Sequence, residues 1–483
     1  MGMKVLLIKP SINIKRGYGR EAGVPLGLAY IAAMLEKYGH EVAILDLSIL
    51  DFKGDFETRK AKRNQFIKQM LEKENPDVLG LTCNTAERFD VFSIADFVKE
   101  NFDVPIVAGG IHVTFTAEET LRDSKSIDII LRGESEYTVV ELCENLEKNR
   151  GLENIRGITF RNKNNKIIST LPRPFIEDLD SLPFPARHLL DIEAYPIRMP
   201  ASAGLWKYKV TNAISSRGCP FECAYCSTTL MWGRKIRFRS PKNFVDELEL
   251  VHNTYSFLDG FTLSDDNFTV NRERVLKICE EIKKRRLDIV WDCYAHIHNI
   301  SDELVKNMAS AGCKLIAFGV ESASERMLRI MNKPEDITYV KKAVQICKKY
   351  GVLPKCNFMF GYPGETEKDV RQTLEFIDKY LNPNEALLID HIFIFPETAV
   401  FRDLLESGYF GENFSWMKRD FPSYKNMPLY IPQNDKQRVK MLKNFRTRHR
   451  LKYAIRHPVK AIPYISDPRN IVKDIRWLMR KGC

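Results

Sequence analysis

The most informative stretch of this 483-residue chain is Gly218-Cys219-Pro220-Phe221-Glu222-Cys223-Ala224-Tyr225-Cys226. Its three cysteines follow the predicted strand Val210–Ser215 so closely that their thiolates can converge on one metal centre. A structural zinc site takes four ligands, and no other Cys or His lies within ten residues on either side. An iron–sulfur cluster suits three thiolates better, because one iron of a [4Fe–4S] cluster then stays open to a further ligand. The alternative is three unrelated buried cysteines, against which the close spacing argues.

Strands and helices alternate on the C-terminal side of this loop, which predicts parallel βα units. The predicted strands are Val210–Ser215, Gly260–Leu263, Ile289–Tyr294, Leu315–Val320, Lys355–Phe360 and Leu387–Phe395. The predicted helices between them include Asn243–His252, Arg272–Lys284, Asp302–Ala311, Thr338–Tyr350 and Glu367–Lys379. Such a series predicts a partial (βα)6 barrel over residues 205–400, with its chemistry at the C-terminal ends of the strands.

A second alternating series lies on the N-terminal side. Its predicted strands are Val5–Lys9, Glu41–Asp46, Val78–Thr82 and Val104–Ala108, and its helices are Leu26–Tyr38, Asn64–Glu74 and Val91–Asn101. Because short β-branched runs between helices are typical of a buried parallel sheet, residues 1–148 are predicted to form a doubly wound, Rossmann-like α/β domain. Ligands are then expected in the loops after the strands, Pro10–Pro25, Cys83–Phe89, Gly109–Thr116 and Arg132–Tyr137. Residues 149–204 are predicted to be a linker with a small hairpin.

The charge of the chain is uneven. Lys and Arg number 74 against 63 Asp and Glu, a net charge of +11. Residues 433–483 carry +12 of this, so the remainder is close to neutral, and nucleic-acid binding is not expected. Residues 401–483 are predicted to be a helical, basic C-terminal region, in which Met441–Lys452 and Ile471–Lys481 mix basic and apolar residues at near-helical spacing. Packing on the barrel is the favoured interpretation, and peripheral contact with anionic lipid is the other.

Composition also bears on the compartment. No uncharged apolar stretch approaches the ~20 residues that a membrane span needs, and the apolar run near residue 5 is short for a signal peptide. Eleven cysteines, an odd number, do not indicate a secreted disulfide framework. A cytoplasmic protein is expected, in which the cysteines outside the cluster loop pack in the core.

The Cys-x-x-x-Cys-x-x-Cys motif, placed after a strand that opens a partial βα barrel, resembles the radical S-adenosylmethionine (SAM) superfamily. The resemblance implies that Cys219, Cys223 and Cys226 bind a [4Fe–4S] cluster whose open iron takes the amino and carboxylate groups of SAM. It also implies that Tyr225 lies against the adenine. Electron transfer from the cluster would then cleave SAM to a 5′-deoxyadenosyl radical.

Polar residues at later strand ends fit the same resemblance. After the second barrel strand, Asp265 or Asp266 would receive the SAM ammonium, although either could instead cap the following helix. After the fourth strand, Glu321 and Ser322 match positions near the ribose and methionine of SAM. After the fifth strand, the turn at Gly361 resembles a Gly-x-Pro-Gly-Glu-Thr turn, whose glycines permit close approach of the backbone to a ligand. These signals are weak singly, and they gain weight because they occur in order at successive strand ends.

Three short segments of residues 1–148 resemble the cobalamin-binding domains that precede some radical SAM barrels. They contain Gly27, the pair Gly109 and Gly110, and Gly133, whose small size would let the backbone approach a large cofactor; a tight turn is the alternative for the pair. His112 follows the pair, yet the Asp-x-His-x-x-Gly motif that supplies a cobalt ligand in several cobalamin enzymes is absent. We therefore expect cobalamin to bind without a protein histidine on cobalt.

The resemblance implies an enzyme that methylates an unactivated carbon of a small-molecule or lipid-like substrate. The adenosyl radical would remove a hydrogen and methylcobalamin would supply the methyl group, with electrons from a reductant such as flavodoxin or ferredoxin. No residue is assigned a catalytic role from the sequence.

Methylation has three alternatives: an oxidative cyclase, a non-catalytic sensor and a tRNA methylthiolation enzyme. The same architecture resembles the anaerobic magnesium-protoporphyrin monomethyl ester cyclase, an oxidative cyclase that the motifs do not separate from a methyltransferase. A non-catalytic corrinoid or iron–sulfur sensor is the alternative from another class. A tRNA methylthiolation enzyme is disfavoured, because it needs three further cluster cysteines and residues 1–148 contain Cys83 and Cys143.

Overall fold

The computed structural model describes residues 2–10, 23–195, 197–199, 202–333, 336–418, 423–424 and 427–457. These residues form two compact units. The first is drawn from Met1–Ile197, Thr211–Glu247 and Ile394–Pro428, and the second from Arg198–Val210, Leu248–Phe393 and Leu429–Cys483. Most of the predicted ligand loop Pro10–Pro25 and all of the predicted basic helix Ile471–Lys481 lie outside the described residues.

The first unit contains a sheet with helices on both faces. Its strands are β1 Lys4–Lys9, β2 Glu41–Asp46, β3 Val78–Thr82, β4 Ile106–Gly109, β5 Ile129–Leu131, β6 Ile158–Arg161 and β7 Ile167–Ser169. The helices among these strands are α1 Leu26–Lys37, α2 Phe56–Glu74, α3 Arg88–Asn101, α4 Ile111–Phe115, α5 Ala117–Asp123 and α6 Glu136–Glu147. The sheet has the order β2-β1-β3-β4-β5-β6-β7, parallel from β2 to β5 and antiparallel beyond. The order in which the chain adds strands reverses between β1 and β3, and doubly wound folds bind ligands in the crevice at such a point.

The strands of this sheet are buried because successive side chains are apolar on both faces. Leu7 and Val107 face a core that includes residues of α1 and α6. Their chain neighbours Leu6 and Ile106 face a second core with α3 on the other side. Apolar residues at both alternating positions therefore place the sheet between two layers of helix.

Two features of the first unit differ from the sequence prediction. Strand β5 was not predicted, since its three residues are too short a run to show a period. The hairpin predicted in the linker forms as β6 and β7, but it extends the sheet by pairing with β5, and the linker residues Ile155, Ile176 and Leu179 lie in the core with α1. The boundary predicted at residue 148 therefore falls inside this sheet.

The remaining elements follow in chain order. The strands are β8 Val210–Ala213, β9 Ser216–Arg217, β10 Arg237–Phe238, β11 Gly260–Leu263, β12 Val290–Ala295, β13 Cys313–Glu321, β14 Leu353–Met359, β15 Ala386–Ile389, β16 Ser423–Tyr424 and β17 Met427–Pro428. The helices are α7 Thr228–Trp232, α8 Pro241–Thr254, α9 Arg272–Lys284, α10 Asp302–Ser310, α11 Glu325–Ile330, α12 Ile337–Lys349, α13 Glu367–Tyr380, α14 Ala399–Glu406 and α15 Asp435–Arg456.

The second sheet has the order β15-β14-β13-β12-β11-β8, and the pairs from β11 to β15 are parallel. This order follows the chain, as a partial (βα)6 barrel requires, and a helix covers each crossover. Local signals start these helices: Ser301 caps α10, and Thr366 with Asp369 forms a capping box on α13. The carboxyl ends of the strands consequently meet at one edge of the sheet, where the polar residues predicted for SAM are found.

Helix α15 carries part of the basic C-terminal region and packs within the second unit. Its buried residues Arg438, Leu442, Phe445 and His449 recur at helical spacing, on one face. Beside this buried face, Arg446 forms an ion pair with Asp390 of the same unit. The described part of Met441–Lys452 thus has the packing that the favoured interpretation expected. In the described part of the chain, no helix is both long and apolar enough to cross a membrane.

Candidate functional site

The cysteine loop spans residues 218–236 and is closed at its base by the antiparallel pair of β9 and β10, in which Arg217 lies opposite Arg237. Its first residue, Gly218, has φ +106°, a conformation that favours glycine. A Cβ there would lie 2.7 Å from the carbonyl oxygen of Lys235. The two ends of the loop therefore approach each other too closely for a side chain.

The cysteines of this loop differ in exposure from the other cysteines that the structure describes. Cys219, Cys223 and Cys226 are half-buried and form no disulfide. The remaining described cysteines are all buried: Cys83, Cys143, Cys279, Cys293, Cys313, Cys347 and Cys356. Burial raises the pKa of Cys279, for example, to about 12, so its thiol stays protonated and inert. The prediction that these other cysteines pack in the core is confirmed.

The donor set of the loop suits an iron–sulfur cluster in kind. In the described residues, no group of three or more His, Cys, Asp or Glu side chains, the three loop cysteines included, is arranged so that it could hold a metal ion. Thiolates are the usual protein ligands of a [4Fe–4S] cluster. Three accessible thiols on one short loop, closed by a tight turn, fit that requirement.

Buried charges hold the base of the loop against residues 133–136, which form an acidic turn at the start of α6. Arg217 Nη1 donates to Glu134 Oε1 at 2.9 Å, and its Nη2 donates to Glu136 Oε1 at 2.5 Å. Arg237 Nη1 donates to both oxygens of Glu134, at 2.8 and 2.6 Å. Burial alone would lower the pKa of Arg217, but Glu136 and Glu134 raise it above its ordinary value. Arg217 is therefore charged at neutral pH.

A cavity of about 150 Å³ lies against the first sheet, in the same unit. Its walls are mainly apolar side chains of β1, β3, β4, α1 and α6. Gly27, Gly109, Gly110 and Gly133, all predicted from the sequence, line it. At Gly27 and Gly133, no atom lies within 4 Å of the position that a Cβ would take. The glycines thus leave open space in an apolar cradle, which fits the large cofactor that the resemblance implies.

Gly110 has a second reason to be glycine. Its φ is +110°, and a Cβ there would lie 2.8 Å from the carbonyl oxygen of Cys83. The tight-turn explanation therefore also holds at this position.

Sequence reasoning missed other residues of this cavity. Gly80 lies in the middle of β3 and lines the wall, where a Cβ would lie 2.6 Å from Leu7 Cδ2. A glycine inside an apolar strand is a signal of close approach, and this one was available in the sequence. Met231 and Trp232 of α7, just after the third cysteine, also line the cavity, and no local pattern indicates that contact.

His112, predicted from the sequence as a cofactor-binding residue, is not among the residues that line the cavity. Its ring is fully buried, with Nδ1 3.3 Å from Thr85 Oγ1, and its centroid lies 5.5 Å from that of the Trp416 ring in an edge-on arrangement. Burial, and then the charge of Arg88, lower the pKa of His112 well below its ordinary value. The surroundings are those of a neutral core histidine.

In the second unit, two acidic residues follow β11. Asp265 is 1% exposed, whereas Asp266 is exposed. The alternative that one of them caps the next helix is wrong, because Asn271 caps α9 by accepting from the Arg274 amide at 3.0 Å. A buried carboxylate at a strand end suits a cationic ligand group, so Asp265 is the better of the two candidates.

At the end of β13, Glu321 adopts φ +66°, a left-handed conformation that is unusual for a side chain of this size. Such strain costs about 1–3 kcal/mol and concentrates at functional sites. The neighbouring Ser322 is differently engaged: its hydroxyl lies 3.1 Å from Thr373 Oγ1 and accepts from the Ser324 amide at 3.1 Å. Glu321 therefore retains the stronger case for ligand binding, and Ser322 holds the turn.

The space beside Gly361 is filled by protein. Its φ is +80°, and a Cβ would lie 2.9 Å from the guanidinium carbon of Arg438 on α15. Its amide donates to Glu365 Oε2 at 2.6 Å. The glycine that was expected to approach a ligand thus has the guanidinium of Arg438 beside it in this structure.

Sequence reasoning also missed His296, which follows β12. Its ring is 6% exposed and stacks on His298 at 5.3 Å. Burial, followed by the charges of Lys333 and His298, lowers the pKa of His296 to about 3. A neutral histidine therefore lies at the same sheet edge as Asp265 and Glu321, and a single histidine carries no sequence signal of that placement.

Comparison with known proteins identifies both parts of the chain. The radical SAM superfamily matches residues 213–377, and the B12 binding domain matches residues 20–143. An uncharacterized methyltransferase of Pyrococcus horikoshii is 35% identical over 385 residues, 78% of each chain. The anaerobic magnesium-protoporphyrin IX monomethyl ester cyclase of Rubrivivax gelatinosus is 30% identical over 393 residues, 80% of this chain and 67% of that one.

A solved structure shows the same fold. The cobalamin-dependent S-adenosylmethionine radical enzyme OxsB, with aqua-cobalamin and S-adenosylmethionine bound, has a TM-score of 0.73. The match covers 99% of this chain and 71% of that chain at 18% identity. The α/β fold, the parallel sheets and the cysteine motif thus agree with the family matches: the chain belongs to the radical SAM superfamily, as an enzyme with a B12-binding domain whose cofactors are a [4Fe–4S] cluster, SAM and cobalamin.

Proposed function

We propose that this enzyme is a methyltransferase that acts on an unactivated carbon of a small-molecule or lipid-like substrate. The observation that carries the proposal is that the cysteine loop and the cofactor cavity share residues. Helix α7 follows Cys226 closely in the chain, and its Met231 and Trp232 line the cavity that Gly27 and Gly133 open. The similarity to a methyltransferase over 78% of both chains supports the same reaction class. When bound, the cluster and SAM supply a hydrogen-abstracting radical, and cobalamin supplies the methyl group.

The residues of the chain take the following roles in this proposal. Cys219, Cys223 and Cys226 hold the cluster through their half-buried thiols. Tyr225 lies in the same loop, against the adenine of SAM. Asp265 and Glu321 bind the polar groups of SAM from their strand ends. The cavity glycines admit cobalamin, and the apolar walls around them exclude water from it.

The test is an anaerobic assay of the reconstituted protein with hydroxocobalamin, a flavodoxin or ferredoxin reductant, and SAM labelled in its methyl group. Polar and lipid extracts of the source cells serve as substrates. We expect 5′-deoxyadenosine and S-adenosylhomocysteine in comparable amounts, and the label in one extracted compound. Formation of neither nucleoside product would contradict the proposal and favour a non-catalytic sensor.

An oxidative cyclase is the second candidate, because a magnesium-protoporphyrin IX monomethyl ester cyclase is 30% identical over 80% of this chain. The same assay separates the two reactions. A cyclase forms 5′-deoxyadenosine without S-adenosylhomocysteine, and no label enters the product. That result would replace methylation by oxidation.

The cavity itself gives a prediction. Replacing Gly27 by leucine fills space in which no atom lies within 4 Å of the Cβ position. Overpacking of a cavity costs about 1–3 kcal/mol, so the affinity for hydroxocobalamin should fall roughly tenfold to a hundredfold. Helix α1 should not lose stability, since leucine is the better helix former. Absorbance titration measures the affinity. The Gly27→Ala variant adds one methyl group, and its affinity should lie between those of the native protein and the leucine variant. An unchanged affinity in the leucine variant would place cobalamin elsewhere.

A further inference from the structure

One carboxylate receives both arginines that close the cysteine loop. Arg217 and Arg237 lie opposite each other in the two-stranded ladder at the base of the loop. Each donates to Glu134, which lies 83 residues before Arg217 and 103 residues before Arg237 in the chain. Glu134 Oε2 also accepts from the Ile176 amide at 2.7 Å, so both of its oxygens are occupied. The ends of the loop are therefore held together from outside the loop.

The same acidic turn forms part of the cofactor cavity. Glu134 and Glu136 both line it, beside Gly133. From the loop side, Trp232 lines the cavity too, and the Arg217 guanidinium lies 5.2 Å from the Trp232 ring. Glu134 thus contacts the base of the cysteine loop with one side and the cavity with the other.

This set of charges is buried and balanced. The side chains of Glu134 and Arg237 are each 2% exposed, and those of Arg217 and Glu136 are 6% and 8% exposed. Two carboxylates neutralise two guanidinium groups. Because all four side chains are buried, a group that loses its partner cannot be solvated by water instead. Buried charge networks of this kind have one satisfied arrangement and are intolerant of partial loss. A movement of the acidic turn therefore moves the loop.

We propose that Glu134 is a positioning residue that couples the two cofactor sites. It holds Arg217 and Arg237 so that occupation of the cavity by cobalamin orders the cysteine loop. Cobalamin in the cavity thereby favours cluster binding on the loop, and by thermodynamic reciprocity the assembled cluster tightens cobalamin binding. The coupling concerns binding and loop order, and it exists whether or not methyl transfer follows.

The test uses the full chain and hydroxocobalamin as the probe. Hydrogen exchange of peptides covering residues 218–236 is measured by mass spectrometry before cluster reconstitution, with and without saturating hydroxocobalamin. In the native sequence we expect exchange of these peptides to slow at least about fivefold, the lower end of typical coupling between sites. The Kd for hydroxocobalamin, from absorbance titration, should also be at least about fivefold lower after cluster reconstitution. In the Glu134→Gln variant, which keeps the shape and removes the charge, both differences should disappear.

The matched control is Glu141→Gln on α6, the helix that follows Glu134. Glu141 pairs with Arg173 and its side chain is 42% exposed, so this variant loses an ion pair outside the network and should keep both effects. If Glu134→Gln does not fold, Glu136→Gln removes one carboxylate bonded to Arg217 alone and should weaken both effects. Slowing that persists in Glu134→Gln, or no slowing in the native sequence, would overturn the proposal. Coupling without methyl transfer would instead contradict the proposed function alone.

Discussion

Replacing Cys223 by alanine should remove the cluster and abolish formation of 5′-deoxyadenosine. Loss of a side chain that merely orients a metal ligand already costs about 10–100-fold in metal affinity, so loss of a ligand should exceed a hundredfold. The same result is expected for Cys219→Ala and Cys226→Ala, because the loop offers three half-buried thiols and each is assigned to the cluster. Iron and sulfide content and the electron paramagnetic resonance signal of the reduced protein measure the cluster. Chromatography measures the nucleoside.

The control for this prediction is Cys279→Ala. Cys279 is a buried cysteine on α9, whose thiol burial keeps protonated. Its replacement should leave iron content unchanged, with at most a loss of stability from the small cavity it creates. A cluster that survives in Cys223→Ala at native iron content would show that the loop is not its site.

Replacing Glu247 by glutamine should produce the largest loss of stability. Glu247 lies on α8 with its side chain 1% exposed, between two buried arginines. Its Oε1 lies 2.6 Å from Arg187 Nη1, and its Oε2 accepts from Arg239. Removing one member of a buried ionic network leaves uncompensated charge and costs about 3–5 kcal/mol. Urea unfolding at neutral pH, followed by tryptophan fluorescence, measures the loss as a lower midpoint.

The pH dependence of this loss has a definite sign. Burial raises the pKa of Glu247, but the charges of Arg187 and Arg239 together lower it by more than burial raises it. The pKa is therefore below its ordinary value. A carboxylate whose pKa is lower in the folded state stabilises the fold above the unfolded value of about 4.3, and the contribution is lost as the pH falls through the folded pKa. The difference between native protein and Glu247→Gln should therefore be largest near neutrality and shrink in acid.

A neighbouring exposed pair provides the comparison. Asp246 and Lys242 lie on the same helix, with Lys242 Nζ 2.9 Å from Asp246 Oδ2, and the Lys242 side chain is 78% exposed. Ion pairs of this kind contribute about 0–1 kcal/mol, so Asp246→Asn should shift the urea midpoint little. Equal losses in the two variants would contradict the argument from burial.

Much of the fold could be predicted because it is written in local periodicity. The predicted and observed bounds agree for β2, β3, β11 and α9. Each of these elements is long enough for its apolar residues to show a period of 2 or 3.6. Strand β5 has only three residues and was not predicted. The hairpin of the linker was predicted, but its pairing with β5 depends on tertiary neighbours that no local pattern shows.

By itself the sequence determined the chemistry of the chain. Three cysteines within eight residues can supply their thiolates to one centre, and that spacing by itself identified the cluster motif. Glycines that open the cavity, such as Gly27 and Gly133, were likewise visible as small residues at strand and helix ends.

Only the tertiary structure decided what surrounds those residues. The contact of Glu134 with Arg217 and Arg237 joins positions 83 and 103 residues apart, and Arg438 fills the space beside Gly361 from a distant helix. The burial of His112 against Trp416 is equally remote in sequence. Such contacts follow from how whole elements pack, and a local pattern contains no information about which distant side chain will fill a given space. The spacing of the cysteines is a property of the loop, whereas its coupling to the cavity is a property of the fold.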